Sequence, residues 1–208
     1  MKVLELFKGG GSITNFFKNS DVEVTSLDIL KKYNPTICCD IMCFDYKKYD
    51  VGYFDIIWAS PECKIYSGLQ NMHVGENRKY KNKQVLIDKQ KIDSKFINRT
   101  IEIIEYLKPK NYFIENPLTS QIWKYIDNLN YVDKYIIVDY CYFGYDYKKP
   151  TKILTNKNLV NKRCGCKNHK IHIGATRKNN PNKINQTKYN LLQLYSIPEK
   201  LLEFLFDS

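Results

Sequence analysis

Short apolar runs and segments with helical spacing alternate along most of this chain. Runs rich in β-branched and aromatic residues, bounded by turn residues, are typical of strands. Seven such runs predict strands over KVLELF (2–7), VEVTSLDI (22–29), TICCDIM (36–42), YFDIIWAS (53–60), NYFIENP (111–117), DKYIIVDYCYFG (133–144) and KKPTKILTN (148–156).

Apolar residues at helical spacing lie between and after these runs. They predict helices over ITNFFKNS (13–20), SKFINRTIEIIEYLKP (94–109), SQIWKYIDNL (120–129) and PEKLLEFLFDS (198–208). The polar, lysine-rich segment from about residue 67 to 91 shows neither pattern, so we expect a mobile loop there.

The alternation predicts an α/β fold, with a mainly parallel sheet and helices on both faces. In such sheets, ligands bind beyond the carboxyl ends of the strands. Chemically distinctive residues follow five of the predicted strands: glycines 9–11, Asp28, Asp40, Cys63 and Glu115. Packing does not readily explain so many polar residues at strand ends, so the sequence predicts a functional site along this edge.

The strand pattern ends near residue 156, which is the only compositional boundary. We therefore expect a main domain over residues 1–156 that carries the site. Residues 157–208 would form a small basic extension that packs on the same domain.

The charge of the chain favours a polyanionic partner. Lys and Arg number 33 against 22 Asp and Glu, a formal net charge of +11, which favours nucleic acid. An AT-rich gene is the alternative explanation, because it would also enrich Lys, Asn, Ile and Tyr. No apolar run is long enough to span a bilayer, and the N-terminus shows no signal-peptide cleavage site. Seven cysteines without a secretory context predict reduced thiols in an intracellular, cytoplasmic protein.

The segment LELFKGGGS (4–12) predicts a glycine turn between a strand and a helix, where the backbone can approach a ligand closely. It matches neither the dinucleotide fingerprint nor the phosphate loop. Asp28 follows about 20 residues later, the spacing at which an acid binds ribose hydroxyls. A nucleoside cofactor without a phosphate cradle indicates S-adenosyl-L-methionine. Helix capping is the alternative role for Asp28 and Asp40.

Cys63 and Glu115 form a candidate catalytic pair at the ends of two apolar runs. A lone cysteine after a strand is more often buried and inert. However, a carboxyl group after a buried strand can hold a proton near neutrality. Conjugate addition to a pyrimidine needs this combination: the thiolate attacks C6, the carboxyl group protonates N3, and C5 becomes nucleophilic.

Six segments carry a family resemblance: LELFKGGGS, SLDI, CCDIM, FDIIWASPECKIYS, YFIENP and VDYCYFGYDYKKPTKILTN. They occur in the order seen in DNA cytosine-C5 methyltransferases, and over residues 2–156 the chain resembles the short forms of phages and large DNA viruses. The resemblance implies a Rossmann-like class I methyltransferase fold that uses S-adenosyl-L-methionine. It also implies methylation of C5 of cytosine in double-stranded DNA, and we expect a monomer without a membrane partner.

The resemblance assigns roles residue by residue. The catalytic residues would be Cys63, Glu115 and Asn116, the last anchoring the cysteine loop. The residues around the cofactor would be Phe7, Gly9, Gly11, Asp28, Ile29, Asp40, Ile41 and Pro61, with Pro61 also shaping the base pocket. The residues near DNA would be Ser67, Arg78, Lys79, Lys81, Lys148, Lys149 and Thr151. The loop after Cys63 would be the flap that closes over a flipped cytosine, although a solvated charged loop is the alternative.

Two departures from the family pattern bear on activity. Glu62 stands where the family has proline, and an acid beside the thiol should raise the cysteine pKa. The family's Gln-x-Arg-x-Arg pattern is absent as well. Two rival functions therefore stay open: the same chemistry on tRNA, as in one branch of this family, and a non-catalytic module that binds DNA and cofactor.

Cys164, Cys166, His169 and His172 are a weak zinc candidate in the extension. Two thiols and two imidazoles suit zinc, but the single residue between the cysteines is tighter than usual. We expect no metal, and a basic loop that touches the DNA backbone instead.

Overall fold

A seven-stranded sheet in the order β3-β2-β1-β4-β5-β7-β6 organises the molecule. The computed structural model describes residues 1–127, 134–145, 147–165 and 191–207. The strands are β1 (Lys2–Leu6), β2 (Glu23–Asp28), β3 (Ile37–Cys38), β4 (Ile56–Ala59), β5 (Asn111–Pro117), β6 (Lys134–Asp139) and β7 (Pro150–Thr155). The α-helices of the described part are α1 (Ser12–Phe16), α2 (Lys83–Asp93), α3 (Lys95–Leu107), α4 (Trp123–Asp127), α5 (Leu191–Tyr195) and α6 (Glu199–Asp207).

The first five strands pair in parallel, and β7 joins β5 and β6 by antiparallel pairing. The expected α/β class with a mainly parallel sheet is confirmed. Leu6 pairs with both Leu27 and Ala59, and Ala59 pairs with Ile114. This register brings the carboxyl ends of β2, β1, β4 and β5 to one edge of the sheet.

Two apolar clusters cover the two faces of the sheet. Along β1 the side chains alternate, so that Leu4 and Leu6 pack in the cluster with α3 while Val3 packs in the cluster with α6. The apolar face of α6 contributes Leu201, Leu202 and Leu205 to the second cluster. The C-terminal helix therefore shares the core of the sheet, while the division into a main domain over residues 1–156 and a basic extension over residues 157–208 stays a prediction.

The segment from residue 67 to 91 corrects one expectation, because part of it is helical. Asn82 caps α2 by accepting a hydrogen bond of 3.0 Å from the main-chain NH of Val85. Leu86 and Gln90 of this helix are buried, and the Gln90 side chain donates to the carbonyl of Ile65 at 2.9 Å. The helix is therefore attached to the loop that carries Cys63.

Other boundaries differ in smaller ways. The first predicted helix shortens to α1, and the third strand shortens to two residues. The sixth predicted strand ends at Asp139 and continues as a 3-10 helix over Tyr140–Phe143. Within the described residues, no helix has the length and apolar character needed to cross a membrane.

Candidate active site

The glycine turn after β1 has a backbone that favours glycine. Gly9 and Gly11 have φ angles of 49° and 72°, and Phe7 at 59° adopts the same left-handed region in spite of its side chain. The turn is held by Asp28, whose carboxylate accepts hydrogen bonds from Gly9 N at 2.9 Å and Leu30 N at 2.8 Å. The acid at the end of β2 therefore shapes the turn after β1.

Glu5 supports the helix start after the glycine turn in a way that the strand pattern concealed. Its side chain is buried and accepts hydrogen bonds from the main-chain NH groups of Ile13 and Thr14, at 3.1 and 3.2 Å, and from the Thr14 hydroxyl. It satisfies amide groups at the start of α1 that the short helix leaves without partners. Burial raises the pKa of Glu5, and these hydrogen bonds oppose the rise.

Asp40 performs the capping role that the sequence left open. Its carboxylate accepts from Met42 N at 2.9 Å at the start of a 3-10 helix. Ile41 is buried, whereas Ile29 and Met42 expose 61% and 38% of their surfaces. Exposed apolar side chains therefore lie beside the Asp28 and Asp40 carboxylates, and a contact of these residues with adenine and ribose stays a prediction.

These residues fit S-adenosyl-L-methionine in chemical type. The turn presents backbone without side chains at Gly9–Gly11, Asp28 offers carboxylate oxygens, and Ile29 offers apolar surface. A carboxylate oxygen that accepts one amide hydrogen bond can still accept a ribose hydroxyl, because it has two lone pairs. The assignment of individual residues to parts of the cofactor stays a prediction.

Cys63 follows β4 by four residues and begins a 3-10 helix. Its thiol is partly buried, and burial is the main cause that raises its pKa. The Glu115 carboxylate raises this pKa further, Lys149 lowers it, and Glu62 adds a small rise. The structure therefore brings Cys63, Glu115 and Lys149 into one electrostatic neighbourhood, in which most of the thiol is protonated at neutral pH.

Glu115 and Asn116 occupy the end of β5, next to the loop that carries Cys63. The Asn116 amide donates a hydrogen bond of 2.8 Å to the carbonyl of the buried Pro61, and its role as an anchor for the cysteine loop stays a prediction. The side-chain oxygen of Asn116, Oδ1, is buried and has no hydrogen-bond partner among the described residues. Glu115 is 7% exposed and accepts a hydrogen bond from the Tyr140 hydroxyl at 3.3 Å.

The residues before and within β7 differ in their access to a ligand. Thr151 is fully buried and donates to the carbonyl of Lys149 at 3.2 Å. Lys148 lies 3.9 Å from the buried Asp139 carboxylate. Lys149 donates to the carbonyl of Leu194 at 3.3 Å. The ammonium groups of Lys148 and Lys149 therefore both contact other groups of the protein. The Thr151 hydroxyl bonds to the main-chain carbonyl of Lys149.

The loop after Cys63 is more ordered than the sequence predicted. The Ser67 hydroxyl accepts from Leu69 N at 3.3 Å, and the Arg78 guanidinium donates to the carbonyl of Met72. Lys79 lies over the ring of Tyr80 at 5.1 Å, and Lys81 is exposed. The loop presents basic side chains on a supported backbone, and their contact with DNA stays a prediction.

Helix α5, which the sequence analysis missed, lies across the site. Leu192 lies against Gly10 of the glycine turn, and Ile197 N donates to the Ser12 hydroxyl at 3.1 Å. These residues help to line a cavity of about 400 Å³ beside the turn. Burial, then the nearby Cys63 and Glu62, raises the pKa of Tyr195. The C-terminal segment therefore reaches from the glycine turn to the cysteine.

The zinc candidate lies mostly outside the described residues, because only Cys164 of its four members belongs to them. Cys164 N donates to the Asp139 carboxylate at 2.9 Å. Its thiol interacts with the thiol of Cys141, which is partly exposed. Burial is the main cause that raises the pKa of Cys141 to about 11, and the interaction with Cys164 also contributes to the rise. Within the described part of the chain, no three His, Cys, Asp or Glu side chains cluster as metal ligands do.

Similarity to a viral protein decides the family. The sequence is 31% identical over 172 residues to the "Probable DNA (cytosine-5)-methyltransferase" of Frog virus 3 (isolate Goorha). The aligned residues span 80% of this chain and 76% of that protein. The chain belongs to the DNA (cytosine-5)-methyltransferase family. No family model matches it.

Solved structures support the fold of this family member. The Entamoeba histolytica methyltransferase EhMeth superposes with a TM-score of 0.50 at 17% identity over 78% of this chain. The S. pombe Dnmt2 methyltransferase gives 0.52 at 16% identity over 77% of the chain. The matches span 56% and 52% of those two chains, so this protein corresponds to about half of each. The expected Rossmann-like methyltransferase fold is confirmed.

Proposed function

We propose that this DNA (cytosine-5)-methyltransferase family member transfers a methyl group from S-adenosyl-L-methionine to C5 of cytosine in double-stranded DNA. The observation that carries the proposal is that Cys63 and Glu115 follow or end the adjacent strands β4 and β5 closely enough for the Glu115 carboxylate to raise the pKa of the thiol, while Asn116 bonds to the loop that carries Cys63. The similarity to the Frog virus 3 protein supports the same activity. The reaction would take place inside the cell, where the DNA and the cofactor are present.

In this mechanism the Cys63 thiolate adds to C6 of a cytosine that has left the base stack. The electron pair of the C5–C6 double bond moves toward C4 and N3 as Glu115 delivers a proton to N3. The product is an enamine in which C5 is nucleophilic. When bound, S-adenosyl-L-methionine would supply an electrophilic methyl group to C5 and leave as S-adenosyl-L-homocysteine. Water or a base then takes the C5 proton, the C6–S bond breaks to release the Cys63 thiolate, and N3 returns its proton to Glu115, which restores the aromatic ring and the enzyme.

The raised pKa of Cys63 sets a condition on this mechanism. Since the thiolate is the reacting form, its fraction at neutral pH is small in the structure without DNA. Lys149 is the positive charge that opposes the effects of burial and Glu115 on this thiol.

Trapping on a duplex that contains 5-fluorocytosine tests the proposal. Fluorine at C5 blocks the final elimination, so the wild-type protein with S-adenosyl-L-methionine should leave a covalent protein–DNA adduct. The adduct should disappear in Cys63→Ser and persist in Cys43→Ser, which alters an exposed cysteine outside the cysteine loop.

The same experiment separates the rival functions. An adduct on 5-fluorocytosine tRNA but on no duplex would overturn the DNA assignment. Tight cofactor binding without an adduct on either nucleic acid would favour a non-catalytic module, the alternative supported by Glu62 beside the thiol.

A further inference from the structure

Among the described residues, two buried tyrosines donate hydrogen bonds to glutamates, and one of those glutamates is Glu115. Tyr140 follows β6, has no solvent exposure, and places its hydroxyl 3.3 Å from Oε1 of Glu115. Nothing in the sequence motifs connects these residues, which lie 25 positions apart. The contact joins the antiparallel part of the sheet to the proposed acid.

The direction of this hydrogen bond follows from the surroundings of the phenol. Burial first, and then the Glu115 carboxylate, raises the pKa of Tyr140 well above its ordinary value. The phenol therefore stays protonated and donates, while Glu115 Oε1 accepts. Because one carboxyl oxygen is held in this way, the other oxygen is left to carry a proton to the edge of a base.

The ammonium group of Lys149 lies over the face of the Tyr140 ring. It lies 4.6 Å from the ring centroid and donates to the carbonyl of Leu194 in α5. A cation over an aromatic face is attracted to it, most strongly where water is excluded. The ring is therefore fixed by the loop before β7, and that loop is fixed by the C-terminal segment.

We infer that Tyr140 is a positioning residue, which orients the Glu115 carboxyl group toward the cytosine while Lys149 holds the Tyr140 ring. This inference rests on the proposed function and adds a component to the same site. A general acid works only when its proton lies within hydrogen-bonding reach of the acceptor atom. The Tyr140 hydroxyl restricts rotation of the carboxyl group and so favours that geometry.

Tyr140→Phe removes one oxygen atom and tests the inference by steady-state kinetics on duplex DNA. We expect kcat to fall about tenfold, the equivalent of one hydrogen bond lost from the transition state. The KM for S-adenosyl-L-methionine and the Kd for DNA should stay within about twofold, because no predicted cofactor or DNA contact is touched.

Tyr46→Phe is a closely matched control. Tyr46 is also buried, donates to a glutamate (Glu102, at 2.6 Å), and lies under a cation, Arg99, at 4.6 Å from its ring. This arrangement packs on α3, which carries both Glu102 and Arg99. If the loss of a buried phenolic hydroxyl affects activity in a general way, kcat should fall equally in Tyr140→Phe and Tyr46→Phe. Equal losses in the two variants would overturn the inference.

The Glu115→Gln background shows whether Tyr140 acts through the carboxyl group. If it does, adding Tyr140→Phe to Glu115→Gln should not reduce the residual rate of 5-fluorocytosine adduct formation any further. A further tenfold loss would overturn the positioning role, as would a wild-type kcat in the single Tyr140→Phe variant. If the wild-type protein forms no adduct at all, the proposed function fails, and this inference fails with it.

Discussion

The side-chain amide of Asn116 donates a 2.8 Å hydrogen bond to the main-chain carbonyl of Pro61, two residues before Cys63. Both residues are buried, so the bond is formed away from water. It connects the end of β5 to the loop after β4, and it determines where the cysteine lies relative to Glu115.

Asn116→Ala should loosen the cysteine loop and destabilise the protein. The buried Pro61 carbonyl would lose its partner, which costs about 1–3 kcal/mol of unfolding free energy. The yield of adduct on 5-fluorocytosine DNA should fall further than the smaller fraction of folded protein explains, because Cys63 would also be misplaced. Urea unfolding and adduct yield measure the two effects. Asn156→Ala, which removes a 2.8 Å bond to the Lys110 carbonyl far from the site, should change stability alone.

The elements predicted correctly are those whose pattern is strong in a local window. Strand β5 was predicted with its observed bounds, because its apolar run is closed by Pro117. Helix α3 buries a continuous apolar face, and its pattern is correspondingly clear. Helix α2 was missed because Lys, Gln and Asp occupy seven of its eleven positions, and only Leu86 and Gln90 are buried.

The sequence nominates the candidate site residues but not the contacts among them. Cys63, Glu115 and Asn116 stand at strand ends that periodicity locates. Glu5 looked like part of an apolar strand, although its carboxylate binds the start of α1. The contact of Tyr140 with Glu115 depends on β7 pairing between β5 and β6, which no local pattern specifies.

Glu62→Gln should make Cys63 more reactive. The Glu62 carboxylate contributes to the raised pKa of the thiol, although burial contributes more. Removal of this charge should lower the pKa, so that the rate of alkylation by iodoacetamide rises at a lower pH than in the wild-type protein. Glu76→Gln, at an exposed position later in the same loop, is the control and should leave the profile unchanged. An identical profile for Glu62→Gln and wild type would show that Glu62 does not limit the thiolate.

Glu5→Gln should change the pH dependence of stability. Burial raises the pKa of Glu5 in the folded state, so the folded protein binds a proton more tightly than the unfolded chain. This contribution is fully present below the unfolded pKa, about 4.3, and is lost as the pH rises through the folded value. The unfolding free energy of wild type relative to Glu5→Gln should therefore decrease from about pH 4 upward. A constant difference across this range, measured by urea unfolding, would contradict the assignment.

Replacing Lys79 and Lys81 together by alanine should weaken DNA binding and reduce its salt dependence. Each phosphate contact contributes about 0.9 to the slope of log affinity against log salt concentration, so the double variant should lose about 1.8. Lys110→Ala is the matched control: Lys110 is equally exposed but pairs with Asp55 at 2.7 Å, at the amino end of β5 and away from the cysteine. Fluorescence anisotropy with a labelled duplex between 50 and 200 mM salt, a range in which the effect is large, measures both slopes. If the double variant and Lys110→Ala share the wild-type slope, the loop after Cys63 is a solvated charged segment and the phosphates are bound elsewhere.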